Sequence, residues 1–133
     1  MKRRLPGILM LSCALFMVPG PVTAHHSFAS QFDANKKLVL KGTVTKVEWE
    51  NPHIWFYVDV KDEAGKITNW AIEGGSPNGL LRNGFTKNSL KLGDEITVEA
   101  FQAKDGSNLA NVSFVTIGGK KVLARNPGPA LLK

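Results

Sequence analysis

Cysteine is almost missing from this chain of 133 residues: there is one, Cys13, near the start. All three methionines (Met1, Met10, Met17) fall in the same opening stretch. Past residue 24 the chain therefore has no disulfide, no thiol nucleophile and no thioether. That excludes thiolate metal sites and the soft ligands that copper(I) carriers favour. Long basic runs are missing too. Of the 17 Lys and Arg, three (Lys2, Arg3, Arg4) lie in the first 24 residues, which contain none of the 11 Asp and Glu. The remaining 109 residues (133 minus 24) thus carry 14 minus 11, a net charge of +3. Their lysines stand singly or in pairs, so no nucleic-acid partner is expected. There is no internal repeat and no low-complexity tract. A chain of this length is one domain, able to bury a core without a disulfide or metal staple.

What is present first is a leader. "MKRRLPGILMLSCALFMVPGPVTA" has a basic start, an apolar run from Leu5 to Val18, helix breakers at Pro19, Gly20 and Pro21, and small residues before Ala24. This order reads as a secretory signal peptide over residues 1–24, and a periplasmic or secreted location is expected. The apolar run is shorter than the roughly 20 residues that a membrane helix needs, so no membrane span is expected in the mature chain. Cys13 is read as an ordinary leader residue, because the apolar run continues beyond it. A second cut, after Ala29 with Ser27 three positions before, is the alternative.

Residues 25–37 show no clean period and read as an arm, and residues 125–133, rich in Pro and Gly, as a loose tail. Between them, 38–124 reads as one β domain. Strands are expected at 38–49, with Gly42 at a bend or bulge, and at 53–60, where Ile54, Phe56, Val58 and Val60 alternate with Trp55, Tyr57 and Asp59. Others fall at 67–73, 89–101 and 109–117, with a short hairpin extension at 118–124. "SPNGLLRNG" (76–84) predicts a two-turn helix with Ser76 as N-cap, Pro77 at its first position, Leu80 and Leu81 inward, and Gly84 as the stop. Leu90 and Leu92 are expected to pack ahead of a turn at Gly93-Asp94. Three strands, one short helix and two strands is the order of a five-stranded OB-like β-barrel, with the helix plugging one end. A β-sandwich is the competing architecture, but so few strands would leave long edges unpaired.

The segments "AHHSF", "GTVTKVEWENPHIW", "NWAIEGGSPNGLLRNG" and "GDEITVEAFQAKDGSNLA" together resemble a family of small exported bacterial proteins known as domain of unknown function 6152. The similarity runs from about His25 to Leu123. It implies a periplasmic, OB-like protein and brings no activity or catalytic residues.

Three histidines follow the leader: His25, His26 and His53. If the leader is cut after Ala24, His25 becomes a free amino terminus. A terminal histidine can hold a metal through its α-amino nitrogen and ring Nδ1, the amine having a pKa near 7.7–8.0 and so yielding its proton readily. His26 or His53 would add a further nitrogen. A nitrogen-rich site without sulfur suits copper(II) best, with zinc and nickel behind. The layout is similar to the histidine brace of copper oxygenases and some periplasmic copper-binding proteins, of which only the terminal histidine matches. The plain alternative makes His25 and His26 polar residues of a peptidase site and His53 a partner within the Asn51-Pro52 turn.

Trp49, Trp55, Tyr57 and Trp70 are concentrated in the first three strands, the ligand-binding part of an OB barrel. Flat rings there suit stacking on a glycan, a small ligand or an envelope component; the alternative is that they pack. Glu48 and Glu50, two apart, would share one strand face, read as solvated. No serine elbow surrounds Ser76, and "GGSPNG" lacks the lysine ending of a phosphate loop. No arrangement reads as an active site. The expectation is a non-enzymatic binding module, holding copper(II) or a similar ion at the histidines, or else a ligand on the aromatic face. A copper-dependent oxidase or oxygenase is the third alternative.

Overall fold

A computed structural model describes residues 27–124. The leader, the residues His25 and His26, and the tail 125–133 lie outside the described residues. Among those described are two short helices, α1 (Phe28–Gln31) and α2 (Pro77–Arg82), and six strands. The strands are β1 (Phe32–Glu48), β2 (Trp55–Lys61), β3 (Ile67–Glu73), β4 (Glu95–Ala103), β5 (Leu109–Ile117) and β6 (Lys120–Ala124). No helix among them is long and apolar enough to cross a membrane.

The sheet runs β3-β2-β1-β4-β5-β6, and β5 turns back to pair with β3 in parallel. Five strands thus form a ring, and β6 lies along β5 outside it. The length of β1 makes this possible: its first half pairs with β4 and its second half with β2, and Gly42 pairs with both. A Cβ at Gly42 would stand 2.1 Å from the Asp59 carbonyl oxygen, so the crossing point admits only glycine. A register shift between Val44 and Lys46 then bends the strand onward.

Alternation puts Val44, Ile54, Phe56, Val58, Ile72, Val98, Val112 and Val115 inside the ring with almost no exposure. Leu80 of α2, Phe85 and Leu90 join that core. α2 starts as its residues predict: the Ser76 hydroxyl accepts from the Gly79 amide at 3.2 Å, and Pro77 opens the helix. A second, smaller apolar cluster is built from Phe32, Phe101 and Ala103, with Phe28 and Leu109 against it.

Several boundaries differ from the sequence expectation. β1 begins at Phe32, inside the segment read as arm, because Phe32 is buried and pairs with Ala103. The arm also contributes a helix, so the described residues hold two helices rather than one. β4 starts at Glu95, with 89–94 in turns rather than strand. Leu81 and Leu92 are exposed, not inward. A helix of six residues buries only part of its surface, here Pro77 and Leu80.

Candidate functional site

The site is built on the outer surface of the ring. Residues paired directly across strands share a face. Glu48 pairs with Trp55, Trp55 with Glu73, Glu73 with Asn111 and Asn111 with Phe101, so these five form one outward row across all five ring strands. An outward row is ordinarily wet, yet Glu73 is only 8% exposed and Asn111 5%. A carboxylate this dry needs partners, and it has them. The Asn111 side-chain amide donates to Glu73 Oε2 at 3.0 Å, and His53 Nδ1 meets Glu73 Oε1 at 2.5 Å.

His53 reaches Glu73 because the β2–β3 pairing continues past the ends of the strands. The Ile54 amide donates to the Gly75 carbonyl at 3.0 Å, and the Gly74 amide donates to the Ile54 carbonyl at 2.8 Å. Gly74 allows this close approach, since a Cβ there would lie 2.4 Å from Ile54 Cγ1. The cis Asn51–Pro52 bond immediately precedes His53. An ionised carboxylate can only accept, so the shared proton resides on Nδ1, and Nε2 is the nitrogen that Glu73 leaves to other partners. The ring is about one-third exposed and lines a cleft of about 360 Å³ with Gly75, Ser76, Gly79, Leu80 and Asn83. Chemically, the arrangement is an imidazole whose orientation is fixed by the carboxylate behind it.

The other predicted residues are spread more widely. His25 and His26 lie outside the described residues. Among the described residues no three His, Cys, Asp or Glu side chains gather into a metal-holding group. Trp55 and Tyr57 stand half-buried on the outer face. Trp49 and Trp70 pack against the core, Trp49 also stacking on Phe85 at 6.2 Å between centroids. The four rings are therefore not one platform. Alternation turns Trp70 to the same face as Ile72, whereas Trp49 lies beyond the end of β1 and is held by its stacking on Phe85.

Around Tyr57 the polar groups are mutually satisfied. Its hydroxyl donates to Glu48 Oε2 at 3.1 Å, Lys46 pairs with the other Glu48 oxygen, and the Lys46 ammonium lies 5.2 Å from the Tyr57 ring centre. The hydrogen bond from Lys46, then that from Tyr57, holds the Glu48 carboxyl below its usual range. Burial, then the bond to Glu48, pushes the Tyr57 phenol up. Glu48 is thus a paired carboxylate on the strand face, and Glu50 lies beyond the end of β1, so the two acids are not a matched pair. Nearby, Asn69 donates to Asp59 Oδ1 at 2.7 Å and to Thr45 Oγ1 at 3.2 Å.

Glu73 and Asn111 were not legible as site residues. Each is a single polar residue in an outward slot of a strand, the pattern of a solvated face. Their burial arises from the β3–β5 pairing, which brings residues 38 apart in sequence side by side.

Residues 14–111 match the family described as "Family of unknown function (DUF6152)". No curated protein matches. Among solved structures, the chain is similar to crystal structures of the mitochondrial single-stranded DNA-binding protein Rim1 from S. cerevisiae. One crystal form gives a TM-score of 0.49 at 11% identity, covering 65% of this chain and 94% of that one. A second gives 0.47 at 14% identity, covering 65% and 93%. The expected exclusion of nucleic acid is corrected by this finding. That exclusion rested on the absence of basic runs, and these structures are described as single-stranded DNA-binding proteins. Single strands are held by stacking and by charge distributed along a groove, neither of which needs a basic run.

Proposed function

We propose a function on the premise that the chain belongs to the family of unknown function DUF6152, a membership that supplies no activity. The protein is an exported, OB-like binding module that holds copper(II), or a similar nitrogen-preferring ion, between its mature amino terminus and His53. The observation that carries this reading is the Asn111–Glu73–His53 chain. A histidine with Nδ1 held by a buried carboxylate is the arrangement of a metal ligand whose Nε2 faces the ion. After cleavage behind Ala24, His25 would add its amine and ring nitrogen, and His26 stands next to it as a further donor. Three nitrogens and no sulfur rank copper(II) first. The five-strand ring, ordered β1-β2-β3-β5-β4, is the scaffold, and this order supports the OB-like reading.

Calorimetric titration tests this. Protein beginning at His25 should bind about one equivalent of copper(II) tightly, and His53→Ala should bind it more weakly. Protein with one extra residue before His25 should also bind more weakly, because its first amine no longer closes a chelate with the His25 ring. Equal binding by all three would overturn the proposal.

A second reading uses the outer face beside this site. Trp55 and Tyr57 stand there, and Tyr57 lies next to the linked Thr45, Asp59 and Asn69, so the face combines flat rings with hydrogen-bonding groups suited to a glycan or small polar ligand. Quenching of tryptophan fluorescence by envelope glycan fragments, lost in Trp55→Ala, is the expected result. Unchanged quenching in that variant would refute it.

A further inference from the structure

We infer that the cleft between His53 and α2 is a pocket for one sugar ring, a site separate from the aromatic face. It needs no metal, and an ion on His53 Nε2 would compete with the sugar for it. At about 360 Å³ the cleft lies at the lower end of the range for small-ligand pockets. Ala124, the last residue of β6, completes its lining.

Three hydrogen-bonding groups in this lining are not used by the fold. Glu73 holds Nδ1 of His53, which leaves Nε2. The Ser76 hydroxyl accepts from the Gly79 amide at 3.2 Å, but its own hydrogen has no acceptor among the described residues. The Asn83 side chain makes no hydrogen bond among them either; only its backbone amide is used, at the end of α2. Because Ser76 already occupies the Gly79 amide, the start of this six-residue helix is not itself the site.

The chemistry of the three groups selects the ligand. With the ring proton on Nδ1, Nε2 accepts a hydrogen bond, the Ser76 hydroxyl donates one, and the Asn83 amide does both. Adjacent hydroxyls, each donor and acceptor at once, answer all three. The rest of the lining is apolar or bare backbone: Leu80, Ala124 and two glycines. A pyranose ring divides in the same way, with hydroxyls around its rim and C–H groups on its faces. The buried Glu73–Asn111 pair holds the imidazole in one orientation before a ligand arrives, which lowers the ordering cost of binding.

Nitrogen-15 spectra of the protein, recorded with EDTA present and titrated with methyl glucoside, galactose and N-acetylglucosamine, test this. Signals of Ser76, Asn83 and the His53 ring should move together with at least one of these sugars. Asn83→Ala should weaken that binding about tenfold. Ala124→Trp fills the cleft without removing a polar group and should abolish it. Asn83 and Ala124 are exposed, so both variants should keep the circular dichroism of the parent. Trp55→Ala should leave binding unchanged, and cyclohexanol, with one hydroxyl on a six-membered ring, should bind more weakly than the sugar. No movement with any of the three sugars would overturn the inference, as would undiminished binding by Ala124→Trp or a stronger response to cyclohexanol. Shifts confined to Trp55 and Tyr57, and lost in Trp55→Ala, would overturn it too, and would place the sugar on the aromatic face instead.

Discussion

At the scale of single residues, the account turns on Glu73, a carboxylate buried on the outward side of a strand. Its burial is tolerated because Asn111 and His53 occupy one oxygen each. Glu73→Gln keeps the shape and removes the charge behind the imidazole. Copper(II) affinity should fall by about 10–100-fold with the fold retained, as calorimetry and circular dichroism would show. Asn111→Leu leaves one Glu73 oxygen without this donor and should cost about 1–3 kcal/mol in urea denaturation. Tyr57 offers a cleaner probe, as the chain's single tyrosine. Its folded-state pKa is raised by burial and by the bond to Glu48. The unfolded chain therefore loses its phenolic proton first as pH rises. Stability from this group is fully present below about pH 10 and is lost as pH climbs through the folded value. Titration of the phenolate absorbance should give a midpoint above that of free tyrosine, and Tyr57→Phe should remove this share of the alkaline instability. A midpoint at the free value would show that the Glu48 contact is not formed.

At the scale of elements, close backbone approaches at two glycines shape the site. Gly42 lets β1 pass between β2 and β4, and the clash a side chain would make there is with backbone. Gly42→Ala should destabilise by about 1–3 kcal/mol or more, measured by denaturant unfolding. Gly74→Ala presses on the flexible but fully buried Ile54. It should displace the residue next to His53 and weaken metal binding along with stability. Ser76→Ala should cost about 1 kcal/mol through the lost cap on α2. Strand placement was legible where alternation was strict: β3 and β5 lie where the pattern put them, and β2 within two residues. It was poorly legible in β1, where the polar stretch Asp33 to Lys37 hides a strand start that is set by Phe32 packing on Phe101 and Ala103. The Leu81 and Leu92 side chains show the same limit, since an apolar residue at a turn or on a short helix carries no sign of which way it faces.

At the scale of the whole molecule, a ring of five strands could be read from the order of elements, because that order leaves few ways to pair every strand. The register of the pairing that makes the candidate site could not. β3 meets β5 in parallel, between segments far apart in the chain, and only that contact unites Glu73 with Asn111. His53 was legible as a possible ligand, but the carboxylate behind it was not. The aromatic set divided for a related reason: alternation separates Trp70 from Tyr57, and only a full strand assignment shows it. Export is proposed from the leader alone. Intact mass of the protein recovered from the periplasm should correspond to a chain beginning at His25; a mass corresponding to a start beyond Ala29 would remove the terminal chelate.

The central claim is that His53 offers Nε2 to a metal ion while Glu73 holds the proton on Nδ1. Nitrogen-15 resonance of the histidine rings tests it most directly. The account predicts a His53 ring with its proton on Nδ1, whose Nε2 signal broadens selectively when a small fraction of an equivalent of copper(II) is added. A His53 ring protonated at Nε2, with a signal that copper(II) leaves sharp, would contradict it.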